Sequence, residues 1–205
     1  MVFASSAIIE DIDALQRLGL ASLAFFYFDF REDQKKGRNG LLSSVLVQLC
    51  HQSDSYSDIL STFYLEHARG SRQPSDDALA TCLKNLLKFP GQAPVYLILD
   101  ALDECPNASV MPSPREKVLG LVEDLVDSQF SNLRICVTSR SEPDIKGVLD
   151  PLSFRSLSLH DESGQIWDIE YYIRSVVSMD SIMRKWKAED KQLVIDVLTK
   201  KANGM

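Results

Sequence analysis

At 205 residues, with 45% hydrophobic and 25% charged side chains, the chain can form one globular domain with a sizeable core, or one domain and a small helical appendage. Its 22 basic and 29 acidic side chains give a net charge of −7, which argues against nucleic acid as a partner while leaving room for one nucleotide on local positive groups. The longest apolar stretch, Leu20–Phe28, is too short to cross a bilayer, and Met1–Ile12 reaches Glu10 and Asp11 with no basic n-region, so a cytoplasmic setting without membrane contact is expected.

Along the chain, Ala4, Ile8, Ile12, Leu15 and Leu18 fall at helical spacing, and Gly19 is a stop signal. The run LASLAFFYFDF, ending at Phe30, is continuously apolar and aromatic and predicts a strand buried on both faces. After the polar loop REDQKKGRNG, the stripe Leu41, Leu42, Val45, Leu46 and Leu49 predicts a helix, and a second helix is expected from Ser55 to Ala68. Ser75 caps the next helix, with Asp76 and Asp77 in its first turn and Pro90-Gly91 beyond its end. VYLILD, residues 95–100, is the clearest strand. Ser113-Pro114-Arg115-Glu116 has the form of a capping box with proline at the first helical position, ahead of the face Val118, Leu121, Val122, Leu125 and Val126. LRICVTSR, residues 133–140, predicts another buried strand, Phe154–Leu159 a short one, and residues from about Gln165 to Asn203 two or three helices. Strands alternating with helices point to an α/β fold with a parallel sheet covered on both faces.

Two patterns carry chemistry. Asp100 ends an apolar strand, the edge of an open parallel sheet where ligands bind, and Asp103 and Glu104 follow at once. Three carboxylates in five residues repel one another unless a cation or strong donors lie near; a Mg²⁺ ion held through water and by substrate phosphates would suit them, and one carboxylate could orient an attacking water. The alternative is a solvated acidic turn. Arg140, at the end of LRICVTSR, offers a guanidinium fork suited to phosphate oxygens, or a partner for a neighbouring carboxylate such as Glu142. The two patterns lie on successive strands joined by one helix, so a right-handed crossover sets them side by side. Cys50, Cys82, Cys105 and Cys136 match no zinc spacing and are expected to be reduced and mostly buried, and the three histidines are widely separated.

YLILDALDE resembles the Walker B strand of NACHT-type STAND NTPases, where apolar residues precede D-(G/A/S)-x-D-E, and CVTSR resembles their sensor strand. FFYFDF with LLSSVLVQL is similar to the strand–helix unit upstream, and WDIEYYI and KKANGM also fit. The likeness is closest to fungal NACHT proteins and nephrocystin-3-like N-terminal domains. It implies a P-loop NTPase-like three-layer α/β/α sandwich over residues 1–160 and the start of a helical segment over 161–205. It implies Mg²⁺ and ATP as cofactors of the parent family, with Asp100 holding the metal through water, Asp103 or Glu104 positioning the hydrolytic water, and Arg140 sensing the terminal phosphate. Nucleotide exchange in such proteins drives domain rearrangement and oligomerisation.

One element of the family pattern is missing. Of nine glycines, none is followed by lysine, so no G-x-x-x-x-G-K-[ST] occurs. Met1–Ala7 looks like the helix that follows that loop, so the chain is expected to begin just past Walker A and to lack the first strand, which is central in the family. That would leave the strand at 154–159 without an inner neighbour and strip cover from Val95–Leu99 and Ile135–Val137. The expectation is a fragment of a nucleotide-dependent switch that binds nucleotide weakly or not at all by itself, and self-associates or contacts other proteins. The alternatives are a degenerate interaction module without catalysis, or an ATPase that receives its phosphate loop from another chain.

Overall fold

Three of the apolar runs become the strands of one parallel sheet in the computed structural model, which describes residues 2–108, 111–157 and 163–202. Strand β1 is Ser22–Tyr27, β2 is Val95–Asp100 and β3 is Leu133–Val137, in the order β1-β2-β3. Ala24 stands beside Leu97 and Ile135, and Phe26 beside Leu99 and Val137, so strand ends and faces align across the sheet.

The first compact unit runs to Ser153. On one face of its sheet, Ala24, Phe26, Phe28, Val95, Leu97 and Leu99 share a core with helices α2 (Arg38–Cys50), α4 (Asp76–Leu87) and α5 (Pro114–Asp127). Helix α1 (Val2–Arg17) packs on β1 and β2, and the residues of opposite parity, Leu23 and Ile98, are buried too. The result is the expected α/β/α layering. Helix α3 (Asp54–Glu66) packs on α2 and α4, and α6 (Pro143–Leu152) on α5. Local signals act as read: Ser75 Oγ accepts from Ala78 N, and the Ser113–Glu116 capping box forms in both directions with Pro114 at the start of α5.

Two side chains cap the outer edge of β1 at Leu23 and Phe25. In a parallel strand, alternate residues point their backbone groups away from the neighbour, and here Leu23 and Phe25 do so. Gln52 Oε1 accepts from Leu23 N at 2.9 Å while its Nε2 donates to Leu23 O. Gln48, one turn earlier on α2, repeats the arrangement on Phe25 at 3.0 and 2.8 Å. A glutamine amide has the donor and acceptor of a peptide group, so the pair stands in for a missing strand.

In the second unit, from Phe154, helix α7 (Ser163–Met179) and helix α8 (Ala188–Ala202) pack through Ile173, Val177 and Ile195. The expected strand at Phe154–Leu159 does not form over residues 154–157, where Phe154 is fully exposed; residues 158 and 159 lie outside the described residues. A strand so short needs a partner edge, and no described strand pairs with it. The expected loss of cover on β2 is also corrected. Val95, Leu97, Ile98 and Leu99 are all buried because β2 is central, whereas Leu133, Ile135, Cys136 and Val137 of β3 are half-buried.

Replacing Gln48 and Gln52 together by alanine removes four hydrogen bonds from β1. The expected cost is about 2–4 kcal/mol, seen as a lower Tm, together with faster aggregation at high protein concentration.

Candidate functional site at the carboxyl edge of the sheet

The polar groups singled out in the sequence are delivered to one edge by the strands that precede them. Asp100, the last residue of β2, is 3% exposed, and its Oδ1 accepts a 2.6 Å hydrogen bond from Thr138 Oγ1, just past the end of β3. The same hydroxyl accepts from Ala101 N at 3.1 Å, and Leu102 N donates to Thr138 O. Between them Ala101 sits at φ 55°, ψ 48°. This left-handed conformation costs a non-glycine residue about 1 kcal/mol and is least costly for small side chains, which explains a G/A/S position after the strand-ending aspartate.

Asp103 and Arg140 meet as successive crossovers should place them. Asp103 Oδ1 accepts from Arg140 N at 3.0 Å, and Oδ2 lies 3.3 Å from Arg140 Nε. The partner of Arg140 is therefore Asp103 and not Glu142. The Asp103 side chain is 7% exposed and that of Arg140 is 74% exposed, so the guanidinium stays open to solvent and to any ligand above the edge. Glu104 is half-buried nearby. Among the described residues, no three His, Cys, Asp or Glu side chains form an all-protein metal site. A Mg²⁺ ion held through water by one or two carboxylates needs no such cage, and Asp100 keeps acceptor capacity beyond its bond to Thr138.

Sequence reading missed two contributors. Arg115, on the first turn of α5 and 8% exposed, donates from Nη2 to Asp103 O at 2.6 Å, from Nε to Cys105 O at 2.9 Å, and from Nη1 to Asp144 Oδ2 on α6 at 3.1 Å. It clamps the acidic loop to the helix that follows the Arg140 strand; its place inside the capping box was its only sequence signal. Asp29, just past β1, holds Arg31 in a fork at 2.9 and 2.8 Å. The Arg31 hydrogen bonds hold the Asp29 carboxyl down at about 2, from an ordinary 3.8. Asp29 in turn raises the Arg31 pKa, with Glu104 and Glu32 adding to the field. The rest of the basic loop is paired as well, Lys35 with Glu32 and Lys36 with Asp33, as a solvated loop would be.

All four cysteines are free, three of them buried. Burial pushes the Cys50 and Cys82 thiols up to about 11 and Cys105 to about 12, and it raises Cys136 too. These are core groups with little thiolate at neutral pH.

A parallel sheet between helical layers is the architecture of a P-loop NTPase-like α/β/α domain; here a buried aspartate ends its central strand and an arginine lies three residues past the end of the next. A family model described as Nephrocystin 3, N-terminal, matches residues 2–140, and the chain belongs to that family. Comparison with curated proteins and with solved structures finds no match.

Followed by carboxyl ¹³C shifts, Asp29 should titrate with a midpoint near 2 and return towards 3.8 in Arg31→Ala. Because the folded pKa is depressed, the stabilisation from this pair is present above about pH 4 and is lost as pH falls through 2. At pH 8 a thiol reagent should modify Cys50, Cys82 and Cys105 only after unfolding; rapid reaction of any of the three in the native protein would contradict their burial.

Proposed function

We propose that this chain is the acid-bearing part of a NACHT-type STAND nucleotide switch, working in the cytoplasm. The observation that carries the reading is the environment of Asp100. A carboxylate 3% exposed is costly to keep charged, and among the described residues no cationic side chain pairs with it. Its partner is the Thr138 hydroxyl, at the sheet edge where ligands of open parallel sheets bind. A hydrated Mg²⁺ bridging to ATP phosphates would supply the missing positive charge.

In this reading Asp100 holds the metal's water shell, and Thr138 fixes the rotamer of Asp100. Arg140, exposed at the rim, meets the terminal phosphate. Asp103 is engaged by Arg140, which favours Glu104 as the carboxylate that orients the attacking water. The chain contains no glycine–lysine phosphate loop, so nucleotide held by this chain alone is weak. The same absence favours a second reading, a non-catalytic module that acts through contacts with other proteins.

Fluorescent ATP with Mg²⁺ should show no saturable binding at micromolar nucleotide. At millimolar Mg-ATP, NMR signals of Asp100, Glu104 and Arg140 should shift in the wild type and not in Asp100→Asn. If no signal at this edge responds, the switch reading fails and the contact module stands. If micromolar binding occurs, phosphate donors lie elsewhere in the chain.

A further inference from the structure

We propose that the groove between the end of α2, α3 and the returning segment 70–74 binds a small amphipathic carboxylate, its apolar tail on the helices and its anionic head at Arg72. The groove measures about 940 Å³, within the ~300–1,000 Å³ of small-molecule sites. All of its walls come from the stretch Val47 to Pro74, inside the first compact unit. Helix α2 runs back along β1, with Gln48 on Phe25 and Gln52, just past its end, on Leu23. The groove therefore lies towards the amino ends of the strands, away from Asp100, and the proposal does not depend on the nucleotide reading.

Two properties of the wall select the ligand. The first is apolar surface. Val47, Tyr64 and Leu65 are 49%, 52% and 59% exposed, next to half-buried Leu60 and Phe63, and a tail laid on them is taken out of water. The second is charge. The chain carries 29 acidic and 22 basic side chains, yet no Asp or Glu lines the groove; Asp54, Asp58 and Glu66 of α3 fall outside its wall. Arg72, His51 and His67 line it instead. Among the described residues no carboxylate pairs with Arg72, whose guanidinium fork matches a carboxylate in two hydrogen bonds.

The backbone sets this cationic end in place. Gly70 N and Arg72 N both donate to His67 O, at 3.1 and 3.2 Å, which brings Arg72 back over the end of α3. The return needs two left-handed residues in succession, Arg69 at φ 53° and Gly70 at φ 82°. That conformation is unfavourable for Arg69, and such strain tends to collect at binding sites. At Gly70 a Cβ would stand 2.9 Å from Tyr64 Cε2, so the segment is pressed against a ring that walls the groove. His67 Nδ1 donates to Phe63 O at 2.8 Å, since a carbonyl only accepts, and Nε2 has no partner among the described residues. Nε2 is thus left for the ligand head beside Arg72.

The test titrates decanoate, and separately decanol, into the full chain up to about 1 mM, followed by backbone amide NMR. Decanoate should give saturable shifts within residues 47–74 and none at Asp100 or Arg140, and should bind at least tenfold more tightly than decanol. Arg72→Gln, at an exposed position, should weaken decanoate at least tenfold and leave decanol unchanged. Leu65→Glu, on the exposed side of α3, should abolish decanoate binding with an unchanged circular dichroism spectrum. If that variant does not fold, the Arg72→Gln comparison decides. Equal affinity for decanoate and decanol in the wild type overturns the proposal, because the anion is then not recognised. So do shifts spread over the whole chain, the mark of a surfactant. A groove that answers only to phosphatidylglycerol vesicles or to an acidic peptide, with free decanoate silent, overturns it as well.

Discussion

The hydrogen bond from the Thr138 hydroxyl to Asp100 ties the ends of two adjacent strands together, and the rest of the carboxyl edge is arranged around it. It can form because β2 and β3 run parallel with Leu99 beside Val137, so the next residue of each strand arrives at the same height. With Asp100 fixed, the chain must leave the sheet at once, and the left-handed turn at Ala101 does this without lifting Leu102 out of the core, where it is fully buried. Asp103 is thereby delivered over the end of β3, within reach of both the backbone and the side chain of Arg140. The backbone strain at Ala101 is small beside the bonds it permits, and it falls where a site needs a carboxylate held rigidly.

What the sequence made legible follows from the range of the forces involved. The β2 strand, the stop at Gly19, the Ser75 cap and the Ser113 capping box depend on residues within a few positions of one another, and each was readable. The juxtaposition of Asp100 with the Thr138–Arg140 segment was readable too, since crossover handedness is a general rule. Where a choice depended on tertiary packing, the reading fell short. Glu142 is close to Arg140 in sequence, but the strand end points Arg140 across the sheet to Asp103. Arg115 could not be distinguished from an ordinary surface arginine, because its three acceptors belong to Asp103, Cys105 and Asp144, on two other segments. Asp29 was read as part of a strand that in fact ends at Tyr27.

Helix α6 and the stretch after it show the same limit from the other side. Pro143 opens α6 and Pro151 lies in its last turn, so the helix is short, framed by breakers, and easily read as a connection. In the stretch from Phe154, Leu157 and Leu159 fall two apart as on a strand, but residues 154–157 have no described neighbour to pair with. Alternation describes which faces a strand would present; whether a strand forms depends on an available edge.

The outer edge of β1 and the carboxyl edge of the sheet are held by different devices. Gln48 on α2 and Gln52 just past its end cap Phe25 and Leu23, so β1 is held at those two residues within the fold itself. At the carboxyl edge the bonds run between strand ends instead, from the Thr138 hydroxyl to Asp100 and from Arg140 to Asp103. The first device fixes a helix and the turn after it against the sheet, and the second fixes the polar rim of the sheet against itself, with no side chain shared between them.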